Sequence, residues 1–279
     1  VSHNGMFIGY KSLHIKVFRM ELLGISDRTP FEVFNRDGSS PVLLICDHAS
    51  HAVPAKLSNL GLNNETIIQH IGWDIGAARI TRELSTSLDS VAVLAGYSRL
   101  VVDTNRHPND PDSIPNISDG ISIPGNQHLS QKEKLLRTKE IFWPYHNQIT
   151  RILTEIWERG LPPVLFSIHT FTPSLQGENR PWHAGVLWNR DPRIAKPLIA
   201  NLRKHFGASL IGDNLPYSGK HLAYSLDSHA SKKGLSNCAI EIRQDQINSD
   251  SEVASWTNIL AMTLKDIFKK SDIHCIKHY

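Results

Sequence analysis

Two apolar runs in this 279-residue chain end in histidine. Val42-Leu43-Leu44-Ile45-Cys46 gives way at once to Asp47-His48-Ala49-Ser50-His51, and Val164-Leu165-Phe166-Ser167-Ile168 delivers His169. An unbroken apolar run of this length reads as a strand buried on both faces. The C-terminal ends of such strands are where open α/β sheets place their sites. Asp47, His48 and His51 are therefore candidate metal ligands or acid–base groups, the alternative being a loop whose histidines only bond backbone; the second strand-end histidine, His169, weighs against that alternative. Asp74 heads an amphipathic helix, where a carboxylate caps or faces a metal at the sheet edge. Arg99, Asn105 and Arg106 surround Asp103, and a guanidinium fork suits carboxylates. The two arginines are candidates for an anionic substrate, unless one forms a structural ion pair with Asp103. Glu241 and Arg243 sit on a late apolar run, and a buried strand rarely carries such groups without a partner. Two histidines and one carboxylate leave zinc an open position for water. A further glutamate can take that water's proton, while arginines bind a carboxylate and steady an oxyanion.

The elements that must position these groups follow the pattern of an α/β sheet. Strands are expected at 42–46, 91–95, 164–169, 186–188 and 237–245, with a further strand piece at Leu100-Val101-Val102 and a short apolar piece at 31–34. Ala77, Ile80, Leu84 and Leu88 share one face of the helix after Asp74. Ser130 and Glu133 form a capping box that opens one long helix to Trp157, kinked at Pro144 and ended by Gly160. Asp191-Pro192 caps a helix running to Gly207, and another spans about 252–270. Residues 107–129 have no period, and a long irregular segment commonly lies over a site. Residues 212–233 read as a second polar loop, which offers Tyr217 and His229 as substrate contacts. No repeat or linker divides the chain. One domain over 20–279 is expected, with 1–19 as an extension.

Composition bounds the rest. With 40% apolar residues, 20% charged and a net charge of +3, the chain suits a soluble globular protein. Lys232-Lys233 and Lys269-Lys270 are too short for a nucleic-acid stripe, and no apolar run is long enough for a membrane span. The start lacks the charged-then-apolar order of a secretory signal, so a cytoplasmic location is expected. Cys46, Cys238 and Cys275 have neither zinc-knuckle nor disulfide spacing.

Six segments together resemble the N-formylglutamate amidohydrolase family, related to the zinc-dependent exopeptidases and zinc amidases. They are Cys46-Asp47-His48-Ala49-Ser50-His51-Ala52-Val53-Pro54, residues 70–77 (His-Ile-Gly-Trp-Asp-Ile-Gly-Ala) and residues 98–106 (Ser-Arg-Leu-Val-Val-Asp-Thr-Asn-Arg). Residues 168–173, 214–218 and 239–245 complete the set, so the resemblance runs from about Met20 to Phe268. It implies a three-layer α/β/α fold around a mixed, largely parallel sheet. It also implies Zn2+, or another divalent ion, on His48, Asp74 and His169, with Glu241 as general base and Arg99 at the oxyanion. Asn105-Arg106 is similar to the carboxypeptidases' Asn-Arg pair that grips a substrate carboxylate; Arg243, Tyr217 and His229 join it as expected substrate contacts. The chain departs from the carboxypeptidases at His51, where they place the carboxylate ligand, so Asp74 is the preferred third ligand and His51 or Asp47 the fallback. The activity implied is hydrolysis of a small anionic N-acyl amino acid, N-formyl-L-glutamate above all, in amino-acid catabolism, with no nucleic-acid or membrane partner and the oligomeric state open. A zinc carboxypeptidase or cell-wall amidase is the related alternative, and a non-catalytic binding module the alternative of another class.

Overall fold

A computed structural model describes residues 21–220 and 223–279. The expected 1–19 extension lies outside the described residues. The strands of the main sheet are β1 (Phe31–Phe34), β2 (Val42–Cys46), β3 (Val91–Ala95), β4 (Val164–Phe171), β5 (Ala184–Leu187), β6 (Ile211–Asp213) and β7 (Asn237–Arg243). Their spatial order is β1-β3-β2-β4-β7-β5-β6. Every residue of β2, β3 and β4 is buried, as strands covered on both faces require. The β1–β3 and β7–β5 ladders are antiparallel and the other four parallel, so the sheet is mixed and largely parallel.

The pleat sorts side chains into two apolar layers. Leu44, Phe166, Ile168 and Ile240 face α1 (Ala77–Leu88), α4 (Pro192–Phe206) and α6 (Asp250–Phe268). Leu43, Ile45, Leu165 and Ala239 face α3 (Trp143–Trp157) and α5 (Tyr224–His229). The architecture is thus a three-layer α/β/α sandwich. Asp191 caps α4 as its sequence predicts, accepting from Arg193 N–H, and Ser249 and Glu252 form a capping box on α6.

Three expectations change. The Leu100–Val102 piece is not a strand. Both edges of β3 are already paired, and the carbonyls of Leu100 and Val101 are taken by the Asn126 amide (2.8 Å) and the Arg137 guanidinium (3.1 Å). The long helix opens at the Ser130–Glu133 box but is interrupted. After α2 (Gln131–Arg137) comes a π-helical turn, Thr138–Phe142, followed by Trp143 and then Pro144, which cannot donate to the ladder. The 212–233 segment is less irregular than predicted, because it contains α5.

Candidate active site

The site forms outside the C-terminal ends of β2, β4 and β7. The connection leaving β2 leads to β3 on one side, while β4 and the later strands build out on the other, which opens a crevice between strand ends. Pleating then selects the side chains. Glu241 pairs in register with His169 on the neighbouring strand, and Ser167 pairs with Ala239, so His169 and Glu241 emerge on one face as neighbours. Ile45 pairs with Ser167, and Asp47, two residues on, continues that face. Asp74 arrives from the other direction. Its backbone N–H donates to the His48 carbonyl (3.0 Å), and Gly76, at φ +85°, turns the chain into α1. Gly76, not Asp74, caps that helix, and no side chain accepts its first N–H groups. The Asp74 carboxylate is directed into the crevice instead.

Ligand atoms of His48, Asp74 and His169 lie within 4.8 Å of one another, and the three residues are only 3–4% exposed. Nδ1 of each histidine faces Asp74 Oδ2, at 3.3 Å from His48 and 2.8 Å from His169. The far nitrogens are held by other groups: His48 Nε2 lies 2.8 Å from Asp103 Oδ1, and His169 Nε2 lies 3.3 Å from Asp47 Oδ2 and 3.0 Å from Ser167 Oγ. A carboxylate behind each imidazole fixes its orientation and raises its basicity, the arrangement that serves a metal-binding histidine. The donor set is therefore chemically suited to a divalent cation.

Electrostatics agree with the geometry. Burial alone would raise the carboxyl of Asp47, but the hydrogen bond and charge of His169, with His48, hold it at about 2. Burial is likewise outweighed at Asp74 by His48 and His169, and at Asp103 by Arg99 and His48, so both stay far below the usual carboxylate range. Glu241 behaves in the opposite way. Burial pushes it up to about 7, with the Asp74 charge adding to the rise. Glu241 is 7% exposed, and its Oε2 has no hydrogen-bond partner among the described residues.

His48, Asp74, Asp103, His169 and Glu241 line a cavity of about 160 Å³ together with Arg99, Asn105, Arg106, Tyr217 and Leu187. Arg99 Nη2 donates to Asp103 (2.8 Å), and its Nη1 lies 3.6 Å from Asp74. The Asn105 carbonyl accepts from Ser225 N–H (3.1 Å), which leaves its NH2 end for the cavity. Two expected substrate contacts lie elsewhere. Arg243 is drawn to Asp245 (2.7 Å) and the Arg180 carbonyl (2.7 Å), beyond the end of the shared face. His229 is buried beneath the site, stacked on His146. Of the fallback ligands, His51 packs edge-on against Trp73 outside the cluster. Asp47 stands behind His169, accepting from Tyr145 (2.9 Å) and Ser225 (2.6 Å).

The orienting groups are what sequence reading missed. Ser167 carried a usable signal, two residues before His169 on the same strand face. Tyr145 and Ser225 come from distant segments and carried none.

A family model described as N-formylglutamate amidohydrolase matches residues 40–248. The crystal structure of gene product Atu2144 from Agrobacterium tumefaciens is 32% identical, with a TM-score of 0.85 over 89% of this chain and 98% of that one. A crystal structure described as N-formylglutamate amidohydrolase from Ralstonia eutropha JMP134 shares 16% identity, covers 87% of this chain and 98% of that one, and superposes with a TM-score of 0.66. At that identity the likeness is one of fold. No match was found among curated proteins. No helix among the described residues is long and apolar enough to cross a membrane.

Proposed function

The chain belongs to the N-formylglutamate amidohydrolase family, and from that premise we propose that it is a metal-dependent hydrolase of a small anionic N-acyl amino acid, N-formyl-L-glutamate foremost. The observation that carries this reading is the convergence of His48 Nδ1, His169 Nδ1 and the Asp74 carboxylate beside Glu241 Oε2, a buried oxygen without a partner among the described residues. His48, Asp74 and His169 would hold the ion, zinc by ligand type. When bound, it supplies Lewis acidity at the scissile carbonyl and lowers the pKa of adjacent water.

The remaining work falls to side chains. Asn105 and Arg106 bind the α-carboxylate, and Tyr217 closes the cavity over it. Glu241, poised near neutrality, takes a proton from water as the water oxygen bonds to the formyl carbon. Arg99 steadies the oxyanion that results. The C–N bond then breaks, and Glu241 returns the proton to the leaving amine, giving formate and L-glutamate. A cytoplasmic location and a role in amino-acid catabolism belong to the same reading.

The test is release of formate from N-formyl-L-glutamate by protein dialysed against chelator and then resupplied with Zn2+. Turnover that disappears on dialysis and returns with metal is expected. Full turnover in protein shown to hold no metal would remove the ion from the reading, and no turnover under any loading would remove the substrate.

A further inference from the structure

A second cavity, of about 400 Å³, opens directly from the first and shares Asp74, Arg99, Asp103, Arg106, Thr170 and Tyr217 with it. The inner cavity alone is smaller than the roughly 300–1,000 Å³ of ordinary small-molecule sites. It nevertheless contains the His48–Asp74–His169 cluster, Glu241 and Asn105, hence the whole apparatus assigned to the amine half and the scissile carbon. Beyond that carbon a formyl group carries only a hydrogen, and nothing of it would enter the outer cavity.

The outer walls are built for a larger group. Two short antiparallel hairpins, Ile117–Ser118 with Ile121–Ser122 and Ser174–Leu175 with Glu178–Asn179, flank the opening. They contribute Ile117, Ser118, Leu175 and Gln176 to the lining. Among the described residues, the charged side chains found in the outer lining but not the inner are Asp112 and Asp119, the latter 2.9 Å from His70 Nε2. Arg99 and Arg106, which the two cavities share, lie against Asp103 and are assigned to the oxyanion and the α-carboxylate, which leaves neither for an anionic acyl group. An occupant should therefore offer apolar surface to Ile117 and Leu175, amide or amine groups to the polar wall, and no negative charge.

We propose that the outer cavity is a subsite for an acyl group larger than formyl, and that its preferred occupant is an aminoacyl group. The enzyme would then also cleave dipeptides with an acidic C-terminal residue. This rests on the amidohydrolase reading above and keeps its chemistry: the water oxygen bonds to the acyl carbon, the C–N bond breaks, and the leaving amine takes the proton.

The test compares kcat/KM of the Zn2+-loaded full chain for N-formyl-L-glutamate, N-acetyl-L-glutamate, L-leucyl-L-glutamate and N-succinyl-L-glutamate. Leucylglutamate should be cleaved at least 10-fold more efficiently than the anionic succinyl compound. Ile117→Trp and, on the other hairpin, Gln176→Trp should each lower the leucylglutamate to formylglutamate ratio at least 10-fold. Calorimetric titration of Glu241→Gln with leucylglutamate should show binding that Ile117→Trp in the same background weakens. Rapid cleavage of the formyl compound with every larger acyl group at least 100-fold poorer would overturn the subsite, as would an unchanged ratio in both tryptophan variants. Cleavage of leucylglutamate without cleavage of formylglutamate would uphold the subsite and overturn the formyl assignment. Turnover of none of the four would overturn the parent reading and the subsite with it.

Discussion

At the scale of single residues, the site separates two kinds of carboxylate. Asp47 and Asp103 stand behind the imidazoles and stay ionised, whereas Glu241 faces the cavity with one oxygen unpartnered and its pKa pushed up to about 7. Only the second kind suits proton transfer near neutral pH. Glu241→Gln keeps the shape and removes the basicity, so turnover of N-formyl-L-glutamate should fall roughly 10²–10⁴-fold. Metal content by plasma emission should be unchanged; a stable variant with wild-type turnover would end the role assigned to Glu241. Asp103→Asn tests the other kind. It leaves His48 without its anionic partner at Nε2, and Zn2+ affinity measured against a competing chelator should drop about 10–100-fold. The residue types of this centre were legible in the sequence, because strand-end histidines and a carboxylate at a helix start are local signals. Their orientation was not. Arg243 and His229 carried the same kind of signal as Arg106 and Asn105, yet Asp245 and His146 claim them in space.

At the scale of elements, the apolar runs of β2, β3, β4 and β7 were legible because strands buried on both faces are apolar over most of their length. What escaped the sequence was how backbone polar groups between elements are satisfied. Leu100–Val102 is as apolar as a strand, but Asn126 and Arg137 take its carbonyls, and Arg137 also binds Gly125 O (3.0 Å) and Asn126 Oδ1 (2.6 Å). That buried arginine fastens the irregular segment near the cavity mouth to α2. A comparable tie lies across the site. Gly185 on β5 pairs with Glu241 on β7, and a Cβ there would drive into the Leu215 carbonyl, two residues before Tyr217. Gly185→Ala must therefore displace the 214–217 loop. A stability loss of about 1–3 kcal/mol is expected by urea unfolding. KM should rise more than kcat falls, because Tyr217 moves while the His48–Asp74–His169 cluster does not. An equal loss in both constants would mean that the strain reaches Glu241 instead.

At the scale of the whole molecule, the fold places its titratable groups at the boundary between the sheet ends and the layer beneath them. His146 and His229 lie there, 3% and 6% exposed, with His146 Nδ1 2.8 Å from His229 Nε2. The Thr104 carbonyl can only accept, so His146 Nε2–H donates to it (2.8 Å), His146 Nδ1 accepts from His229, and His229 Nδ1 accepts from Thr150 Oγ1 (3.2 Å). This is the arrangement of two neutral rings; because a single hydrogen lies between the facing nitrogens, the two rings cannot both be protonated. Burial pushes His146 down to about 4 and, with His146 beside it, His229 down to about 3, from an ordinary 6.5. A folded pKa below the unfolded one means that the unfolded chain takes up protons first as the solution is acidified. Stability should therefore decline from pH 6.5 toward pH 4, by about 2 kcal/mol per histidine at pH 5. Glu241 opposes this, since its raised pKa relieves a penalty as pH falls through about 7. The ionised Asp47, Asp74 and Asp103 add losses only below about pH 4, where the unfolded carboxyls protonate. Comparing wild type with His229→Gln isolates the histidine contribution, because the other groups are common to both. Between pH 7 and pH 5 the wild type should lose more stability than the variant in urea melts, the difference approaching one proton's slope. Parallel curves would mean that His229 keeps its unfolded pKa in the folded protein, and would remove it from the acid sensitivity.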